Sequence, residues 1–180
     1  MRPLIIGIGG SYSKVGKTTV ACEILRRLSG WGAIKNTRTS FYTSIVDNPG
    51  ILRQKGKDTN RFFNAGAQEV LWVQSPPEGL SEVLQIAVDR LSHLKGIVLE
   101  GNSAIEALKP DIVIFLSGRK APKRGADRIL SMADAVLFDS DLPSGIPEKA
   151  KTFLLNNKNG YINFIMGLIT EREGKTNPVN

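Results

Sequence analysis

The sequence predicts an α/β chain with three layers: a mostly parallel central sheet and helices on both faces. Three observations carry this. Short apolar runs alternate with segments of helical apolar spacing along the chain. The runs, such as "PLIIGIG" and "DIVIFLSG", are nearly continuous in apolar residues, as strands buried on both faces are. A glycine-rich segment joins the first run to the first helical segment. In open parallel sheets that is where ligands sit, outside the carboxyl ends of the strands.

The elements follow in order. Residues 3–9 form the first strand. A helix from Gly16 to Ser29 comes next, because Val20, Ala21, Ile24, Leu25 and Leu28 recur at helical spacing and Gly30 can end it. Residues 32–36 form a short second strand. Residues 38–64 are polar and weakly periodic, and are expected to be a mobile loop with a helical turn at 58–64. Residues 69–75 make a strand, punctuated by "PPEG". The helix at 80–94 has the cleanest stripe: Leu80, Val83, Leu84, Ala87, Val88, Leu91 and Leu94. Strands are expected at 96–101, 111–118 and 134–140, with short helices at 126–133 and 148–155. Residues 1–170 are expected to form a single domain, and 171–180 a polar, disordered tail.

Composition narrows the class. A chain of 180 residues with 41% hydrophobic content holds one real core. Cys22 is the single cysteine, so no disulfide forms within the chain, and His93 is the single histidine. No Cys/His metal cluster and no nucleophile–histidine pair is visible in the sequence. The apolar run after Arg2 is too short for a signal peptide, and nothing approaches the roughly 18 residues of a membrane span. A cytoplasmic protein without a membrane partner is expected. The formal charge of +7 attracts polyanions. No finger or aromatic RNA-binding signature is present, so the expected polyanion is a nucleoside triphosphate rather than a nucleic acid.

The segment "IIGIGGSYSKVGKTTVACEIL" explains that expectation. Gly16, Lys17 and Thr18 match the second half of the phosphate-binding pattern G-x-x-x-x-G-K-[ST], between a buried strand and an amphipathic helix. Ser11 stands where the first glycine would, with Gly9 and Gly10 just before it. Gly10 and Ser11 open the predicted nucleotide-binding set. Backbone N–H groups from Ser13 through Lys14, Val15 and Gly16 to Thr18 can wrap the β-phosphate, with Thr19 completing the set. Lys17 would reach the β- and γ-phosphates, and Thr18 would offer its hydroxyl to Mg²⁺. Lys14 is a candidate second cation for the phosphates, or simply a solvated lysine.

A metal-bound triphosphate also needs an acid at a neighbouring strand end. "GIVLEG" supplies Glu100; Asp139 ends a more peripheral strand. In "GKDTNRFF", Asp58 and Arg61 lie at i and i+3 on one helical face. Asp58 could join the Mg²⁺ shell and Arg61 could neutralise phosphate, or the two could form a surface ion pair. The catalytic candidates are thus Lys17, Asp58 and Glu100, and the metal candidates Thr18, Asp58 and Glu100. Together these features predict a P-loop NTPase fold.

Four segments in order, "GGSYSKVGKTTVACEIL", "IKN", "GKDTNRFFNAGA" and "IVLEGNS", resemble the molybdopterin-guanine dinucleotide biosynthesis protein B (MobB) family. This is a branch of the P-loop NTPases that includes dethiobiotin synthetase. The resemblance covers residues 3–118, and Asp58-Thr59-Asn60-Arg61 with Ala65-Gly66-Ala67 is its specific part. It implies a GTP- and Mg²⁺-binding accessory protein with slow hydrolysis. Its implied partners are the nucleotidyltransferase of molybdenum cofactor maturation, or molybdopterin itself, and a second copy of the chain. Asn36 stands where the family has histidine, and the second half of the chain departs from the family.

ATP remains open beside GTP. The alternative function is an ATP-dependent synthetase or small-molecule kinase like dethiobiotin synthetase, with an acceptor element at 35–48. A nucleic-acid-associated ATPase, suggested by charge alone, is the third. The basic loop at 117–125 offers Arg119, Lys120, Lys123 and Arg124 to a base, a phosphate or a partner, or to solvent. Trp31, Trp72 and Cys22 are expected to pack.

Overall fold

The computed structural model describes residues 2–176. Strand β1 (Leu4–Gly10) leads into helix α1 (Lys17–Leu25), followed by β2 (Trp31–Arg38) and β3 (Ser44–Val46). Next come α2 (Pro49–Leu52), α3 (Asp58–Asn64), β4 (Val70–Ser75) and, after a 3₁₀ turn, α4 (Leu80–Arg90). Then follow β5 (Gly96–Glu100), α5 (Asn102–Leu108), β6 (Ile112–Ser117), α6 (Ala126–Met132), β7 (Ala135–Phe138), β8 (Lys151–Leu154) and α7 (Lys158–Thr176). The described strands form one sheet in the order β3-β4-β2-β5-β1-β6-β7-β8. Every pairing is parallel except β3 with β4, which is antiparallel.

The period of two along the central strands sorts residues onto two faces. Ile6, Ile8, Val98, Ile112 and Ile114 pack with α1, α3 and α7 on one face, through Ile24, Phe62 and Ile165. Ile5, Ile34, Ile97 and Leu99 face the other way, against the α4 stripe of Val83, Leu84, Ala87 and Leu91. Val113, Phe115 and Val136 continue that second face against Ile105 of α5 and Ile129 of α6. Both faces of β1, β5 and β6 are therefore covered, which is why those strands read as unbroken apolar runs.

Several expectations are corrected. β2 extends to Arg38, past the predicted end at Asn36. Residues 38–64 are not one loop: β3 pairs with β4, and α2 is started by Asn48, whose side chain accepts from the Gly50 N–H at 2.8 Å, with Pro49 in the first turn. Residues 148–155 do not make a helix. Helix formers fill the segment, but β8 pairs parallel with β7, its exposed residues at the sheet edge. The unpredicted α5 begins directly after β5. Helix α7 reaches Thr176, so 171–176 continue a helix instead of a disordered tail; 177–180 lie outside the described residues. Its glycines and asparagines hide it from propensity, and burial of Tyr161, Ile162, Ile165 and Ile169 on the sheet overrides them. Among the described residues no helix is long and apolar enough to cross a membrane.

Ile165 is fully buried under α7. Ile165→Ala is expected to lower the unfolding free energy by about 2–5 kcal/mol, read from urea denaturation. An unchanged midpoint would show that α7 is not docked on the sheet.

Candidate functional site

The carboxyl ends of β1, β2 and β5 and the N-termini of α1, α3 and α5 surround a cavity of about 700 Å³. Gly10, Ser13, Lys14, Gly16, Lys17, Thr18, Thr19, Asp58, Arg61 and Glu100 all line it. Ser11 and Val15 do not. Ser11 is buried with its polar groups engaged: its N–H donates to Leu116 O at 2.8 Å and its carbonyl accepts from the Lys123 N–H at 2.7 Å. It ties the loop to β6 and the basic segment. Val15 packs its side chain into the core, leaving only its backbone for a ligand.

The loop geometry requires its glycine. Gly16 caps α1 at φ 113°, a conformation that side chains resist. Lys14 also turns left-handed, at φ 66°. On the far side, Asn102 holds Gly10 by two hydrogen bonds: its Nδ2 donates to Gly10 O, and its Oδ1 accepts from the Gly10 N–H, both at 2.9 Å. Asn102 falls within residues 100–103, a strand end where the sequence places candidate ligand contacts, but nothing in the sequence signals its clamp on Gly10.

Glu100 is 2% exposed and organises the charges. Its Oε2 accepts from Thr18 Oγ1 at 2.8 Å, and its Oε1 accepts from Lys35 Nζ at 2.5 Å. Lys35 also pairs with Asp58 Oδ2 at 2.9 Å. Burial works to lower the Lys35 pKa, but Glu100 and Asp58 outweigh it and the net shift is upward. For Asp58, burial works upward, while Lys35, Thr18 and Arg61 hold the carboxyl below its ordinary range. Arg61 lies 3.7 Å from Asp58 and donates to Thr19 Oγ1 at 2.9 Å. Lys17 donates to Tyr12 O at 3.2 Å; burial and the neighbouring Lys35 and Lys123 lower its pKa against the pull of Glu100.

Magnitudes rank these contacts. The Asp58–Arg61 pair is largely exposed on both sides, and such pairs contribute less than about 1 kcal/mol. Breaking a buried pair by removing one partner costs about 3–5 kcal/mol. Lys35 is therefore the central cation, a role its position at a strand end did not reveal. Asp139 is elsewhere, paired with Arg119 at 2.7 Å. From the basic loop, Lys123 reaches the phosphate loop, donating to Ser13 Oγ, and Arg124 lines the cavity. Asn36 places a buried Oδ1 in the wall that has no hydrogen-bond partner among the described residues.

The oxygens of Thr18, Glu100 and Asp58 are hard donors that suit Mg²⁺. Thr18 gives its proton to Glu100, so its lone pairs are open to a cation, and the Lys35 ammonium between the two carboxylates shows that the cluster accepts positive charge. No cluster of three or more His, Cys, Asp or Glu side chains exists among the described residues. A metal here would depend on phosphate and water oxygens for the rest of its shell.

Lys35→Met is expected to lower stability by about 3–5 kcal/mol in denaturant unfolding. Adding Glu100→Gln should restore part of that loss; strict additivity would mean that the pair is not coupled. The depressed Asp58 pKa implies stability present above the ordinary carboxylate range and lost as pH falls through the folded-state value. Asp58→Asn should flatten that acid limb in unfolding curves taken across pH.

No protein-family model matches the sequence, and none of the curated proteins compared with it does. Solved structures do resemble it. HypB from Helicobacter pylori, solved in complex with nickel, superposes with a TM-score of 0.59 at 14% identity, over 94% of this chain and 88% of that one. The "apo" form of LpxK from Aquifex aeolicus, solved in complex with ATP, superposes with a TM-score of 0.52 at 20% identity over 82% of this chain. Here the chain spans 53% of the LpxK chain. At such identities the likeness establishes architecture alone. The chain has a three-layer α/β fold with a mostly parallel central sheet, the architecture it shares with those structures.

Proposed function

We propose that the chain is a Mg²⁺-dependent nucleoside-triphosphate-binding protein of the GTP type, with slow hydrolysis, that assists molybdenum cofactor maturation. The observation that carries the nucleotide part is the Lys17, Thr18 and Glu100 cluster over the loop at the start of α1, with Thr18 bonded to Glu100 at 2.8 Å. The GTP preference, the client and a homodimer rest on the resemblance of residues 3–118 to the MobB family.

In this reading the loop amides and the N-terminus of α1 hold the β-phosphate. Lys17 pairs with the terminal phosphates. Thr18 and Glu100 would hold a Mg²⁺ ion, with Asp58 as a further candidate oxygen donor, and the ion would supply charge neutralisation to the phosphates. Arg61, Lys123 and Arg124 add positive charge along the walls. Asn36 offers its unpaired acceptor to a water or ligand N–H. The residues supply positioning and charge, and none is a covalent nucleophile.

A second reading, an ATP-dependent synthetase or kinase, is favoured by one observation. A smaller hollow of about 300 Å³ opens beside Lys35, Thr37 and Asp58, within the 35–48 stretch where an acceptor element would belong and next to it.

Calorimetry tests the assignment. Losing one hydrogen bond to a charged phosphate costs about 1.5–3 kcal/mol, so Lys17→Ala should weaken triphosphate binding at least about 10-fold; unchanged affinity would overturn the phosphate-loop role. Glu100→Gln should lower Mg²⁺-dependent turnover more than binding. A nucleotide at about 100 times its Kd adds about 2.7 kcal/mol. For a chain of this size that raises Tm by roughly 5–11 °C. A shift with GTP and not ATP supports the accessory reading, and the reverse supports the synthetase.

A further inference from the structure

We propose that the hollow beside Lys35 is a second binding site, for a small planar anion (a carboxylate or phosphate on an unsaturated ring) that sits against the terminal phosphate of the nucleotide. The proposal rests on the nucleotide-binding reading above and adds a second ligand to it.

Strand register builds the floor. Lys35 of β2 lies directly beside Trp72 of β4, and Thr37 follows two residues on, so all three project from the same face of the sheet. The indole N–H of Trp72 donates to Thr37 Oγ1 at 3.0 Å, which fixes the ring and leaves the threonine proton free to donate. Helix α3 begins above this floor. Lys57 precedes it and holds its ammonium 5.2 Å from the centre of the Trp72 ring, while Asp58 contributes the adjoining wall. Gly56, at φ 88°, turns the chain at the rim, where nothing would contact an added Cβ.

The chemistry of the lining selects the ligand. Lys35 is held between Glu100 and Asp58, so the ammonium left to a ligand is that of Lys57, which has no carboxylate partner among the described residues. An anion is favoured there over a cation. A half-buried indole supplies the surface for a flat, apolar body. The volume of about 300 Å³ lies at the lower end for small-molecule sites, which suits a single-ring compound.

Its place relative to the nucleotide follows from the sheet order. The hollow shares Lys35, Thr37 and Asp58 with the larger cavity, so the two are continuous. Glu100 bonds Thr18 through one oxygen and Lys35 through the other, so the hollow begins one side chain beyond the metal-binding threonine, on the β4 side. Lys123 and Arg124 line the opposite, β6 side of the cavity, and the proposed arrangement puts the sugar and base toward them. The terminal phosphate then faces the hollow.

The test uses the full chain, ¹⁵N-labelled at tryptophan and saturated with Mg²⁺ and a non-hydrolysable GTP or ATP analogue, whichever calorimetry shows to bind. Benzoate and phenyl phosphate are titrated as anionic probes and benzamide as the neutral isostere, following the Trp72 indole N–H, assigned with Trp72→Phe. Both anions should shift that resonance and leave Trp31 unmoved, with benzamide at least about 10-fold weaker. Lys57→Ala, which is outside the phosphate cavity, should weaken the anions about 10-fold at unchanged nucleotide affinity. Equal binding of benzamide, or anion binding untouched by Lys57→Ala, overturns the site. So does an absent Trp72 response in a nucleotide-loaded chain, in which case the nucleotide reading stands. If neither nucleotide binds, both readings are overturned.

Discussion

Glu100 ends a central strand with its carboxylate almost wholly out of water, and a charge in that position persists only if its neighbours satisfy it. One oxygen takes the Thr18 hydroxyl proton at the first turn of α1, and the other takes Lys35 from β2. Lys35 in turn reaches Asp58 at the start of α3. A single buried carboxylate thereby sets the relative positions of two strands and two helix starts, all at the carboxyl edge of the sheet. The glycine-rich loop before α1, the cluster of carboxylate and hydroxyl oxygens and the smaller hollow are arranged around that linkage.

The same linkage explains how a strongly basic chain keeps an ordered site. Lys17, Lys35, Arg61 and Lys123 line one cavity, and their mutual repulsion is partly relieved by Glu100 and Asp58. Burial and the neighbouring lysines lower the Lys17 pKa, and the negative charge of a bound polyphosphate would act against that lowering. The cavity lining carries more positive than negative side chains, which favours an anionic ligand over a cationic one.

The core behind the site is conventional by comparison. Central strands alternate their side chains between α1, α3 and α7 on one face and α4, α5 and α6 on the other. This rigid double packing holds the strand ends in register, and the site inherits its precision from there rather than from the loops. Asn102 extends the rigidity to the loop itself by clamping both backbone groups of Gly10.

Legibility followed the range of the interactions. The amino-acid sequence by itself determined the buried strands, the α4 stripe, the glycine-rich loop between β1 and α1 and the acid at the end of β5, because each is written in neighbouring residues with a short period or fixed spacing. Tertiary structure alone decided the rest. It made 151–154 an edge strand despite helix-forming residues, docked the glycine-bearing α7, and removed Ser11 from the ligand wall by burying it against β6. It also joined Lys35 to Glu100, 65 residues apart, and Asn102 to Gly10, 92 apart. Pairings over such separations depend on strand order and register, and those are settled by the packing of the whole sheet, which no local pattern of residues records.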